Sequence, residues 1–309
     1  MRANVSGIEG LMSRSPATYG APRVVLLDVS HLHGLPQRGS PAVNTLSSTH
    51  RPVPFPPSGP ATPPGHATAV RPTARWGAEL AATALMLLAV TVLFCHVFHP
   101  GSPLHDRLPS DDTRLLVGAV VSGAVVAALI ASPLGRLSGA HMNPAVTLAL
   151  WSARRLSGRD VPAYIAAQLA GSFLGTAVGR LVTGDSLAHP DVNHALLSAP
   201  PGTPGFVPTL VEAIGTGVLL AVVVVLARSD EPSHLTGPIV GALLAALIVL
   251  TADVSGGSLN PARQFGPWLM DGGDGRLWPY VVGPLVAAVV VGTTASALPA
   301  RARPGRSGS

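Results

Sequence analysis

The chain has 309 residues, of which 11% are charged and 47% hydrophobic, and its mean hydropathy is +0.43 despite a polar N-terminal region. A soluble domain carries about 25% charged residues, so a soluble enzyme and a disordered protein are both excluded in favour of an integral membrane protein. The net charge of +5 does not indicate a nucleic-acid binder, because the 20 basic residues, all arginine, are scattered and aromatics make up only 4%.

Residues 1–74 are rich in Pro, Ser, Thr, Gly and Ala, with clusters such as Pro54-Phe55-Pro56-Pro57. Proline at this density prevents helix, and too few apolar residues recur to build a core. The segment reads as a disordered tail; the run Val24–Leu27 is too short to span a bilayer and does not resemble a signal peptide. Six apolar stretches follow, at Trp76–Phe98, Leu115–Pro133, Val161–Thr183, Val207–Ala227, Leu235–Ala252 and Leu277–Leu298. Each is near the roughly 20 residues that a 30 Å hydrocarbon core demands. Two further apolar pieces, Asn143–Trp151 and Asn260–Met270, are too short to span and read as re-entrant, interfacial or surface helices. Cys95, the single cysteine, sits inside the first stretch and offers neither a disulfide nor a thiolate metal site; it reads as a small buried hydrophobe.

Arginines orient the bundle. Arg136, Arg154, Arg155 and Arg159 lie between spans two and three, Arg75 before the first, Arg228 after the fourth, and Arg301, Arg303 and Arg306 at the end. The third connection, 184–206, has none. The positive-inside rule then places both termini in the cytoplasm, which an even number of spans allows.

The sequence also repeats. Ser138-Gly-Ala-His-Met-Asn-Pro-Ala145 and Ser255-Gly-Gly-Ser-Leu-Asn-Pro-Ala262 share Ser, Gly, Asn, Pro and Ala at equal offsets. Each box follows the second span of a three-span half, and each half opens with a glutamate in its first span, Glu79 and Glu212. Three spans is an odd number, so the halves have opposite topology, the pattern of an inverted repeat. Asn suits a helix N-cap and Pro the first helical position. Two short helices starting this way from opposite faces bring their positive ends together near the midplane, where they disfavour cations and protons. A glutamate within a span is costly and needs a partner.

The two boxes closely resemble the signature boxes of the major intrinsic proteins, the aquaporins and aquaglyceroporins, over residues 76–298. The resemblance implies an all-α, aquaporin-like bundle of six transmembrane helices plus two re-entrant half-helices. It further implies a homotetramer with one pore per subunit in the plasma membrane, and passive flow of water or small uncharged solutes without a cofactor. The channel domain is expected over 75–299, in halves 75–184 and 207–299, with a C-terminal tail at 300–309. Carried over position by position, the resemblance makes Asn143, Pro144, Ala145, Asn260, Pro261 and Ala262 the pore boxes. Glu79 and Glu212 become braces of the loops before the half-helices, and Arg263 the filter arginine. His141 has two open readings, packing and pore contact.

Counting without gaps from the boxes gives the remaining filter positions as Gly123, Ile248 and Gly257; a one-residue gap in the second span would put Ser122 or Ala124 in place of Gly123. A small residue, Ile, Gly and Arg together look most like the wide-filter plant nodulin-like intrinsic proteins. That implies passage of glycerol, urea, and undissociated boric or arsenous acid. Glycerol facilitators carry an Asp after the filter arginine, where this chain has Gln264. A water-selective aquaporin is the alternative, and a secondary transporter a distant one, since no relay of ionisable residues accompanies the two glutamates and Arg263. An intramembrane hydrolase finds no nucleophile-elbow motif and no clustered metal ligands.

Overall fold

Proline placement sets where the first helix begins. The computed structural model describes residues 71–228, 233–273 and 275–298, so all but the last four residues of the tail expected at 1–74, and the tail expected at 300–309, lie outside the described residues. Helix α1 (Pro72–Phe98) starts inside the segment read as tail, with Pro72 in its first turn. There the missing N–H would have had no partner anyway, so a residue that stops helices elsewhere starts this one. The short α2 (Pro103–Arg107) follows. Next comes α3 (Asp111–Ala131), capped by Ser110, whose hydroxyl accepts from the Thr113 N–H at 3.2 Å. A break at Ser132 and the short α4 (Pro133–Ser138) lead to α5 (Pro144–Ser152) and α6 (Val161–Thr183). A long connection with two 3-10 turns, Gly184–Ala188 and Asn193–Ala195, precedes α7 (Phe206–Arg228), α8 (Ser233–Ser255), α9 (Pro261–Met270) and α10 (Pro279–Ala297).

Helices α1, α3, α6, α7, α8 and α10 are long and apolar enough to cross a membrane. The nine residues of α5 and ten of α9 rise only about 14–15 Å, half of a hydrocarbon core. No strand occurs among the described residues.

Lipid gives helices no hydrophobic reason to associate, so close backbone approach at small residues must hold them. The pairs α1–α6, α3–α8 and α7–α10 each show it. Along α6, Gly171, Gly175 and Gly179 form one stripe against α1. A Cβ on Gly171 would stand 2.5 Å from the Leu80 carbonyl oxygen, one on Gly175 would strike that of Ala84, and one on Gly179 would stand 2.6 Å from Thr91 Cγ2. Gly123 of α3 meets the Gly241 carbonyl of α8, and Gly283 of α10 meets the Thr209 carbonyl of α7. Cys95 is buried with Leu187 and Val192, tying the connection after α6 to α1.

Candidate functional site

The two half-helices begin as their sequences dictate. Asn143 caps α5 by accepting the Ala145 N–H at 2.8 Å, and Asn260 caps α9 by accepting those of Ala262 at 2.9 Å and Arg263 at 3.3 Å. With each amide oxygen committed to a cap, each amide nitrogen points away from its own helix. Asn143 Nδ2 donates to the Leu259 carbonyl at 2.9 Å, and Asn260 Nδ2 donates to the Met142 carbonyl at 2.8 Å. These reciprocal bonds join the two helix N-termini at the centre of the bundle. Each NH₂ keeps a second N–H, and both asparagines line the central cavity.

The approaches to the half-helices are irregular. Ala140, Met142 and Leu259 hold left-handed backbone at φ 47°, 47° and 54°, although none is glycine. Such residues cost on the order of 1–3 kcal/mol each and persist only where surroundings hold them. The holding groups are the glutamates. Glu79 accepts the N–H groups of His141 at 3.3 Å and of Met142, together with Gln168 Nε2 at 2.8 Å. Glu212 accepts the N–H groups of Ser258 at 3.0 Å and Leu259 at 2.6 Å, together with the Ser255 hydroxyl at 2.8 Å. Both carboxylates are fully buried with three donors apiece, which meets the cost of charge inside a bundle. Tyrosines, which the sequence reading overlooked, complete the brace: Tyr164 donates to the Ser138 carbonyl at 2.6 Å and Tyr280 to the Ser255 carbonyl at 2.7 Å. Ser138 and Ser255 open the two boxes, so the repeat extends to the third span of each half. His141 is among the cavity-lining residues, and its ring packs 4.9 Å from that of Tyr164 and bonds Thr147 at 3.1 Å.

The cavity has a volume of about 120 Å³. One side carries the box loops and both asparagines; the other is apolar. The apolar wall runs along helix faces at four-residue spacing. On α8 the stripe is Thr236, Val240, Leu244 and Ile248, and on α3 it is Ser122, Val126 and Ile130. Twelve residues of α8 correspond to about 18 Å of lumen. Ile248 and Arg263 line its end together with Ser122.

Gly123 does not belong to that wall, and here the expectation from counting is corrected. It lies one position, about 100°, around α3 from Ser122. It is buried in the contact with α8, where a Cβ would strike the Gly241 carbonyl oxygen and stand 3.1 Å from Ala245 Cβ. Ser122 faces the cavity instead. A count along the chain fixes distance from the box but not which side of the helix faces inward. Gly257 has φ 72° and packs beside Ile248, its carbonyl oxygen 3.1 Å from where a Cβ would stand. Like Gly123, it is not among the lining residues.

Arg263 is buried and held on several sides. Its Nη1 donates to the Ala195 carbonyl at 2.6 Å and to Gln264 Oε1 at 3.0 Å, while its guanidinium carbon lies 5.1 Å from the centre of the Phe94 ring. Nη2 is buried without a protein partner. Because Arg263 lines the cavity, this unspent donor suits an oxygen in transit.

Known proteins share this architecture. The family model for the major intrinsic proteins matches residues 67–294. A probable aquaporin AqpM of Archaeoglobus fulgidus is 43% identical over 171 residues, 53% of this chain and 68% of that protein. The aquaporin AqpM of Methanothermobacter marburgensis is 37% identical, covering 58% of this chain and 74% of its own. The aquaporin NIP1-1 of Zea mays is 36% identical over 55% of this chain and 58% of its own. In fold, the X-ray structure of the aquaglyceroporin from Plasmodium falciparum superposes with a TM-score of 0.63 over 74% of this chain and 97% of that one, at 24% identity. The chain therefore belongs to the major intrinsic proteins, a family of channels rather than enzymes, and is a multi-pass membrane channel of the aquaporin type for water and small solutes.

Proposed function

We propose that this channel conducts glycerol as well as water, with urea and undissociated boric or arsenous acid as further solutes, through a filter of Ser122, Ile248 and Arg263, with Gly257 packed beside Ile248. The observation that carries the reading is the make-up of the cavity at its Arg263 end. Its lining holds the hydroxymethyl of Ser122, the branched chain of Ile248 and one unspent guanidinium donor, with no aromatic ring. Phe94 stacks on Arg263 but is not part of the wall. Ser122 in the place expected for Gly123 keeps that position small and adds a hydroxyl to the filter. A polyol then slides its carbon skeleton along Ile248 and Val126 while its hydroxyls bond Arg263 Nη2 and, at mid-pore, the Asn143 and Asn260 amides. Cations and protons meet a guanidinium and two positive helix ends.

The arginine distribution favours cytoplasmic termini, and with them Arg263 at the extracellular end of the pore. The channel domain runs from the start of α1 at Pro72 to residue 299, in the plasma membrane as a homotetramer, between the tails at 1–71 and 300–309. Stopped-flow light scattering of proteoliposomes tests the solute assignment. Reswelling in an inward glycerol gradient should greatly exceed that of empty liposomes. Fast shrinkage in sucrose without glycerol uptake would make the channel water-selective and defeat the proposal.

A further inference from the structure

We propose that Gln264 is a positioning residue for the filter arginine, and that it acts by pairing with the backbone of the connection between α6 and α7. The side chain is fully buried. Its amide oxygen accepts from Arg263 Nη1 at 3.0 Å and from the Leu197 N–H at 3.2 Å, and its amide nitrogen donates to the Leu197 carbonyl at 2.6 Å. An amide side chain pairing with the N–H and the C=O of one residue fixes that residue in position and in rotation, as a neighbouring strand would. Two residues earlier in the same segment, the Ala195 carbonyl accepts from Arg263 Nη1 at 2.6 Å.

Gln264 thus holds Arg263 directly, and holds the carbonyl that holds Arg263. The segment needs such help. Asn193, His194 and Ala195 are consecutive non-glycine residues at φ 47°, 53° and 60°, a run that costs on the order of 1–3 kcal/mol per residue and must be restrained from outside. A second tie comes from His194, whose Nδ1 lies 3.1 Å from Asp271 Oδ1 just past α9. With both acceptors of Nη1 fixed, the guanidinium cannot rotate, and Nη2 stays without a protein partner in a residue that lines the cavity. Aspartate at this position would be one methylene shorter and would offer no N–H to the Leu197 carbonyl. The glutamine therefore builds a filter arginine locked to the connection.

The inference rests on reading Arg263 as the filter cation, and its test combines a flux measurement with one that involves no solute. Gln264→Met keeps the length and removes the amide. Hydrogen exchange of the 193–199 segment should show the Leu197 amide protected in the wild type and exposed in Gln264→Met. In stopped-flow assays the glycerol-to-water permeability ratio should fall by about five- to tenfold, the scale of one typical hydrogen bond lost. The same substitution in an Arg263→Ala background should leave the ratio unchanged, since a residue acting through Arg263 is not additive with its loss. Protection of Leu197 retained in Gln264→Met would overturn the pairing. An unchanged ratio, or an equal fall without Arg263, would overturn the positioning role and leave Gln264 as packing alone. If wild-type protein passes water and no glycerol, the solute assignment fails while the exchange measurement still decides the pairing. Should Gln264→Met not fold, Gln264→Asn serves: one methylene shorter, its amide cannot reach both groups of Leu197, so the Leu197 amide should lose protection and the ratio should fall. Wild-type protection or a wild-type ratio in Gln264→Asn would overturn the proposal.

Discussion

Two adjacent residues of α3 should respond oppositely to substitution, and the contrast tests how the helix is rotated about its axis. Ser122 shares its stripe with Val126 and Ile130 on the cavity wall. A phenyl ring introduced by Ser122→Phe enters the lumen near Ile248 and Arg263 and displaces no backbone. Glycerol permeability should fall at least about tenfold relative to water, an added barrier of about 1.4 kcal/mol, with thermal stability little changed. Gly123→Ala adds one methyl group where the Gly241 carbonyl oxygen, the Gly241 carbonyl carbon at 3.1 Å and Ala245 Cβ at 3.1 Å already stand. Backbone cannot swing aside as a flexible side chain can, so α3 and α8 must separate, at a cost of about 1–3 kcal/mol. Fluorescence-detected gel filtration after heating should show a lower midpoint for Gly123→Ala, while its surviving channels keep the wild-type glycerol-to-water ratio. The reasoning is refuted if Gly123→Ala leaves the midpoint unmoved and shifts the ratio, because Gly123 would then face the pore and Ser122 the neighbouring helix.

Other substitutions probe the braces and the charge barrier. Glu212→Gln turns an amide N–H₂ toward donors that the carboxylate accepted from Ser255, Ser258 and Leu259; a loss of about 2–4 kcal/mol should appear as a lower thermal midpoint with reduced water permeability. Tyr280→Phe strands the Ser255 carbonyl that its hydroxyl bonds at 2.7 Å, costing about 1–2 kcal/mol in the same melting assay. Tyr164→Phe should cost a similar amount through Ser138, and an undetectable effect of both would remove the tyrosines from the brace. Arg263→Ala removes the cation at the filter, so proton leak measured with a pH dye trapped in liposomes should rise. An unchanged leak would assign proton exclusion to the half-helix ends alone.

Local chemistry made most of this architecture legible in the sequence. Span lengths follow from bilayer thickness, and Asn143-Pro144 and Asn260-Pro261 write helix starts in two residues each. The α3 register was legible too, but in a pattern of small residues rather than in a count. Gly123 and Ala127 recur four apart on α3, as do Gly237, Gly241 and Ala245 on α8. Two such stripes mark facing helices, which leaves the stripe beginning at Ser122 to line the cavity. The tyrosines offered a fainter signal, being two of three in the chain, each near the start of the third span of its half. Ala195 and Leu197 offered none. They reach Arg263 and Gln264 across 68 and 67 residues through a connection whose path depends on the finished bundle. The repeat itself shows why function concentrates there. Glu79 and Glu212, Tyr164 and Tyr280, and Asn143 and Asn260 obey it and build a symmetric frame. The position after the box alanine breaks it, with Val146 in one half and Arg263 in the other, both lining the cavity. A symmetric frame with a cation at one end and an apolar side chain at the other discriminates at one end only. The residues that tune that discrimination must then be sought around Arg263, in the segments that owe nothing to the repeat.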